Sequence, residues 1–106
     1  MKFIISSFSW GMFNNYPSIT IDKHELTEEE FQMAIIDAFS HVGHEDIAKL
    51  INVAYNKDPV QARPGDTLLY ANFERGVLKF YCLKPRECEA PLYREEELEY
   101  VEQEMI

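Results

Sequence analysis

Thr67-Leu68-Leu69-Tyr70-Ala71-Asn72-Phe73, then Glu74-Arg75-Gly76, then Val77-Leu78-Lys79-Phe80-Tyr81-Cys82-Leu83, is the passage that decides how this chain folds. A strand with one wet face alternates apolar and polar residues, whereas these two runs are nearly continuous in apolar side chains. With a short glycine-bearing turn between them, they read as a hairpin lying inside a sheet rather than at its edge. Pro64-Gly65-Asp66 supplies turn chemistry that launches the first run. The hairpin is therefore expected to form the backbone of the sheet.

Upstream, the period changes from that of strands to that of helices. Thr27-Glu28-Glu29-Glu30 is a capping box, in which Thr27 accepts from the N–H of Glu30 while the Glu30 carboxylate reaches back to the N–H of Thr27. Phe31, Ala34, Ile35 and Ala38 then recur at helical spacing, and Ile47, Leu50, Ile51 and Ala54 repeat it. These patterns predict one helix from Thr27 to about Phe39 and another from about Glu45 to Tyr55, ended by Asn56-Lys57-Asp58-Pro59. Between them lies Ser40-His41-Val42-Gly43-His44-Glu45-Asp46. There Gly43 is expected to use backbone angles closed to other residues, making a sharp turn that leaves His44 at the mouth of the second helix.

At the amino end, Phe3 to Ser7 reads as a short buried strand. The run Phe8-Ser9-Trp10-Gly11-Met12-Phe13 is too rich in large apolar groups to be a solvated loop, and should pack on the core or on another subunit. Asn14-Asn15-Tyr16-Pro17 is turn chemistry, and Ser18-Ile19-Thr20-Ile21-Asp22 alternates as a half-buried strand does. From Pro85 onward there are eight glutamates against two arginines. Leu98, Val101 and Met105 mark one face of an expected terminal helix, with Glu95, Glu96, Glu97, Glu99, Glu102 and Glu104 on or beside the other, a carboxylate wall that is either a solvated face or a surface for a partner. The expected architecture is α/β in the α+β sense: a single domain over residues 1–106, with one mixed sheet of about four to five strands, two central helices and an acidic C-terminal helix.

The chain has 106 residues, 46% of them hydrophobic, and nineteen acidic residues against ten basic ones give a formal charge of −9. This length supports one core. The charge disfavours direct nucleic-acid binding, which depends on neutralising phosphates, and favours a basic partner whose encounter it would steer. Met1-Lys2-Phe3-Ile4-Ile5 is apolar, but Ser6, Ser7 and Ser9 interrupt it well short of a signal peptide's core or a membrane span, so a cytoplasmic protein without membrane contact is expected. Cys82 and Cys88 match neither a close-paired zinc spacing nor a redox pair, and nothing in the spacing of His41, His44, Cys82 and Cys88 requires a metal. No metal and no cofactor are expected.

There is no glycine-rich phosphate loop and no nucleophile elbow, so any chemistry must come from scattered groups. The best set is Ser6, Ser9 and His44: two small hydroxyls after the first strand, facing a histidine that could donate a proton to a leaving oxygen. Such chemistry also wants a cation over the developing charge, and Arg63 or Arg75 is available. Each group has an ordinary alternative. The serines can cap turns, His44 can bond to backbone, Arg63 can pair with Asp66, and Arg75 can decorate a hairpin. Taken together, the ordinary explanations are favoured.

Ser7-Phe8-Ser9-Trp10-Gly11-Met12-Phe13, then Tyr16-Pro17 and Ile21-Asp22, resembles the opening N-A-F-S-x-x-M-L, F-P, I-D of a family of small proteins from archaeal viruses and bacterial mobile elements. Val42-Gly43-His44-Glu45 through Leu50-Ile51-Asn52 is similar to that family's I-G-H-[DE]-S-T segment and the helix after it. Order and spacing agree over residues 1 to about 55, roughly half of the chain. The resemblance implies a mixed-sheet homodimer that counters CRISPR immunity. Some members are ring nucleases that cleave cyclic tetra-adenylate; others bind the large subunit of a CRISPR effector. It also implies that His44 would be the general acid and Ser9 the family's N-terminal serine. The chain departs where the chemistry lies, because Ser6 replaces the family's asparagine, and the arginine and glutamate of Q-R-L-E-E-G find only Asn72-Phe73-Glu74-Arg75-Gly76. The expectation is a small acidic anti-CRISPR protein that acts by binding, occupying a basic surface of a host CRISPR effector or other defence complex, with the question of an enzyme left open. The alternative is a metal-independent ring nuclease acting through His44.

Overall fold

The computed structural model describes residues 1–88. The expected acidic helix and Glu95 through Glu104 lie outside the described residues. The chain runs as β1 (Lys2–Ile5), a 3₁₀ turn (Trp10–Phe13), β2 (Ile19–Leu26), α1 (Glu28–Ala34), a second 3₁₀ turn (Ile35–Asp37), β3 (Phe39–His41), α2 (Glu45–Ile51), β4 (Thr67–Glu74) and β5 (Val77–Glu87). The strands form one mixed sheet in the order β2-β5-β4-β1-β3. Strand β1 is parallel to both β3 and β4, while β5 is antiparallel to β4 and β2. The fold is thus the expected α+β one, with the hairpin in the interior of the sheet.

Strand periodicity divides the core into two layers. On one face Ile4, Leu69, Ala71 and Phe80 meet Phe31 of α1 and Val42, Ile47, Ala48 and Ile51 of the α2 region. On the other face Ile5, Ile19, Ile21, Leu68, Tyr81 and Leu83 are covered by Phe13, Val60 and Ala62, with Phe8, Trp10 and Met12 packed against them. The aromatic run after β1 therefore closes the second face of its own core. Its rings interlock, Phe8 and Trp10 meeting edge to face with centroids 5.3 Å apart.

Three expectations about the middle of the chain are corrected. The first helix stops at Ala34 rather than near Phe39, because the residues after it are drawn into β3, where Phe39 pairs with Phe3 and His41 with Ile5. The second helix stops at Ile51 rather than Tyr55. Asn52 takes the left-handed conformation that ends helices (φ 58, ψ 50), and the chain then runs beside β3. There Tyr55 bridges Val42, the N–H of Asn56 donates to the Val42 carbonyl at 3.0 Å, and the Ser40 hydroxyl donates to the Ala54 carbonyl. Finally, Gly43 is not a special turn. It is absent from the positive-φ residues, and a Cβ there would meet nothing closer than 3.9 Å.

Among the described residues no helix is long and apolar enough to cross a membrane.

Candidate functional site

A crevice opens in an α/β sheet where neighbouring strands send their connections to opposite faces. Here the chain leaving β1 turns onto the face covered by Trp10–Phe13, while the chain leaving β3 enters α2 on the other face. Both strands end at the same edge because they are parallel. The residues after these ends are Ser6, Ser7 and Ser9 on one side and Val42, Gly43 and His44 on the other.

The structure brings Ser6 and His44 together. Ser6 is buried, at 6% exposure, and its Oγ lies 2.9 Å from Nδ1 of the exposed His44, so the two share a hydrogen bond. His44 is also the residue preceding α2, in extended conformation and making no side-chain cap, with Glu45 and Asp46 in the first turn. The imidazole is held by the serine and not by backbone. Ser9 instead caps the 3₁₀ turn, its Oγ accepting from the N–H of Gly11 at 3.2 Å.

The two arginines fall elsewhere. Arg63 precedes the turn into β4, where its backbone N–H donates to the Asp66 carboxylate at 3.1 Å. Asp66 is buried and also pairs with the α-amino group of Met1 at 3.0 Å, so this cluster sits at the amino end of β1, opposite His44. Arg63 therefore contacts Asp66 through backbone rather than through its guanidinium. Arg75 forms the β4–β5 turn at φ 51, next to Gly76 at φ 79, and lines a groove with Glu74, Val77 and Lys79. Register places Ile5 level with Tyr70, so Arg75 lies five residues further along β4, on the order of 15 Å past the end of β1.

Next to the Ser6–His44 pair is a cavity of about 310 Å³ whose lining includes Ser7, Ser9, Met12, His41, Lys57 and Asp58. His41 was visible in the sequence only as one of two neighbouring histidines, and Lys57 only as part of a turn. The signal that could have found them is the alternation Phe39-Ser40-His41-Val42, which gives Phe39 and His41 one face and Ser40 and Val42 the other. The His41 ring packs edge-on against Phe3 at 5.5 Å, and its Nδ1 lies 2.9 Å from the Asp58 carbonyl. Because a carbonyl only accepts, Nδ1 carries the proton in that contact.

A second polar group lies on the same sheet face, toward the hairpin. The Tyr81 hydroxyl donates to Glu74 at 3.0 Å, Asn72 donates to the same carboxylate oxygen at 3.3 Å, and Lys79 stands 3.6 Å from its other oxygen. The Tyr81 hydrogen bond, then the nearby Lys79 charge, hold the Glu74 carboxyl below the ordinary value despite the opposing effect of burial. Burial foremost, then the carboxylate itself, push the Tyr81 phenol up.

The cysteines do not join the histidines. Cys82 packs against the helix-side core, where burial pushes its thiol up, and the Cys88 sulfur lies 2.8 Å from the Thr20 hydroxyl. Among the described residues no three His, Cys, Asp or Glu side chains converge as a metal site.

No protein-family model matches the chain, and no curated protein matches it.

Proposed function

We propose that this chain is a small acidic anti-CRISPR protein of a virus or mobile element, acting by occupying a basic surface of a host CRISPR effector. The resemblance of residues 1 to about 55 to that family motivates the reading, and the placement of charge carries it. The chain has net charge −9, and Arg63 stands at the end of β1 opposite His44. His44 itself is followed directly by Glu45 and Asp46, which repel a polyanion such as a cyclic oligoadenylate. A scaffold can keep its geometry while its chemistry changes, and a surplus of carboxylates speeds encounter with a basic protein surface.

The test is titration of a purified type III effector complex with the purified chain at low salt. Saturable binding together with loss of effector activity is expected, and absence of any association at low salt would refute the proposal.

One observation favours a second reading, a metal-independent ring nuclease. It is the 2.9 Å contact of Ser6 with His44. In the imidazolium form Nδ1–H donates to the Ser6 hydroxyl oxygen, which orients the ring and leaves Nε2–H of an exposed residue to give its proton to a leaving oxygen, the ring becoming neutral. Incubation with cyclic tetra-adenylate decides between the two. Linear products that vanish in a His44→Ala variant support the nuclease; an unchanged ring excludes it.

A further inference from the structure

We infer that the cavity beside the Ser6–His44 pair binds a small organic phosphate monoester, with His41 and Lys57 as the groups that hold its phosphoryl end. This inference is independent of the CRISPR reading, because it rests only on what lines the cavity. Four residues with polar side chains line it from three separate segments: Ser7 and Ser9 after β1, His41 at the end of β3, and Lys57 on the strap beyond α2, whose ammonium stands 5.8 Å from the Tyr55 ring centroid, a contact that a swing of its flexible stem toward a bound anion would replace. Ser9 already accepts the Gly11 N–H on its oxygen, which leaves its own O–H to donate. His41 is anchored by donating its Nδ1 proton to the Asp58 carbonyl, so Nε2 is the ring nitrogen left for a ligand: on the neutral ring it accepts the proton of a phosphate monoanion, and on the imidazolium it donates to a phosphoryl oxygen. Three phosphoryl oxygens offer more acceptor positions than a carboxylate has, and so match this set better.

Ile5, Met12 and Val60 make part of the lining apolar, and Ile5 and Val60 belong to the buried core. A volume of about 310 Å³ is at the lower end of small-molecule sites, enough for one phosphoryl group and one compact apolar body. Among the described residues Asp58 is the only acid in the lining. It opposes an anion, and Lys57 beside it offsets that repulsion, so the two residues predict shifts of opposite sign.

The test uses amide chemical-shift titrations of the full chain with inorganic phosphate, phenyl phosphate and benzyl alcohol. Phenyl phosphate is expected to saturate in the millimolar range with shifts centred on Ser7, Ser9, Gly43 and Lys57, more tightly than inorganic phosphate and with no response to benzyl alcohol. Lys57→Met and His41→Gln should each weaken it about ten-fold, the size of one strong charge-assisted contact, and Asp58→Asn should tighten it. Lys57→Met and Asp58→Asn change exposed strap residues, so the fold is retained even if His41→Gln disturbs β3. Shifts that do not saturate, shifts scattered over the surface, equal affinity for inorganic phosphate, or a gain on Lys57→Met would each overturn the assignment.

Discussion

Of all the side chains near the carboxyl ends of the strands, Ser6 and His44 are bound to each other in an unequal way, because one is buried and the other exposed. Removing the buried partner's bond and removing the exposed partner's bond are therefore different experiments. A Ser6→Ala variant leaves His44 free to bond with water and should cost about 0.5–1.5 kcal/mol, the ordinary net worth of a hydrogen bond. His44→Ala strands the Ser6 hydroxyl without its partner and should cost more, about 1–3 kcal/mol. Urea unfolding of both variants checks the order, and a reversed order would mean that the 2.9 Å contact is not a significant interaction in solution. Tyr81 offers a second prediction at this scale. The lowered Glu74 carboxyl contributes stability above its unfolded pKa that is lost as pH falls through the folded one, and the raised Tyr81 phenol contributes stability below its unfolded pKa that is lost as pH rises through the folded one. Tyr81→Phe removes the phenol and the largest influence on Glu74 while Lys79 and Asn72 still act on it, so the stability curve should flatten fully at the alkaline limb and in part at the acid limb relative to the unchanged protein. Thermal melts across the pH range test this, and coincident limbs would contradict it.

At the level of elements, the β4–β5 turn carries a cost that a substitution can relieve. Arg75 is a non-glycine residue held at φ 51, and Gly76 follows at φ 79, the pair of left-handed residues that a two-residue hairpin turn requires. Asparagine tolerates that conformation far better than arginine, so Arg75→Asn should stabilise by about 0.5–1 kcal/mol and Gly76→Ala should destabilise by about 1–2 kcal/mol. Calorimetry measures both, and stabilisation on Gly76→Ala would show that the turn is not of this kind. The same hairpin was legible in the sequence because its central part is buried on both faces, Leu69, Ala71 and Phe80 toward the helices and Leu68, Tyr81 and Leu83 away from them, which makes the apolar run nearly continuous there. The capping box was legible for a local reason: Thr27 and Glu30 satisfy each other's backbone N–H at 3.0 and 3.1 Å without help from elsewhere. Strand β3 was not legible, since Ala38 continues the helical spacing of Phe31, Ala34 and Ile35. Only pairing of Phe39 with Phe3, a partner far away in sequence, overrides that spacing. The site was readable to the same degree. Its residue types were visible, but the contact of Ser6 with His44 and the distance to Arg63 depend on β1 lying between β3 and β4, and strand order is not written in local periodicity.

For the whole molecule, the decisive quantity is where the negative charge sits along the chain. Residues 1–88 hold twelve acids and nine bases, a net −3, and residues 89–106 hold seven glutamates and one arginine, a net −6, which together make the −9 of the full chain. The carboxyl-terminal segment therefore carries most of the long-range field even though it is the smaller part. If that field steers the chain onto a basic partner, association should be fast at low ionic strength and slow steeply with salt, because the Debye length shrinks from about 30 Å at 0.01 M to about 8 Å at physiological salt. Replacing Glu95, Glu96 and Glu97 by lysine changes the net charge by six, from −9 to −3, and brings the segment itself from −6 to neutral. The association rate should then fall by roughly ten-fold or more at low salt and converge with that of the unchanged chain at high salt, while the dissociation rate changes less. Surface-plasmon or stopped-flow measurement on the effector complex separates the two rates. A loss confined to the dissociation rate would mean that these glutamates touch the partner directly instead of steering toward it. Equal association rates at every salt concentration would remove the acidic segment from the binding mechanism and leave the body of the domain to account for it alone.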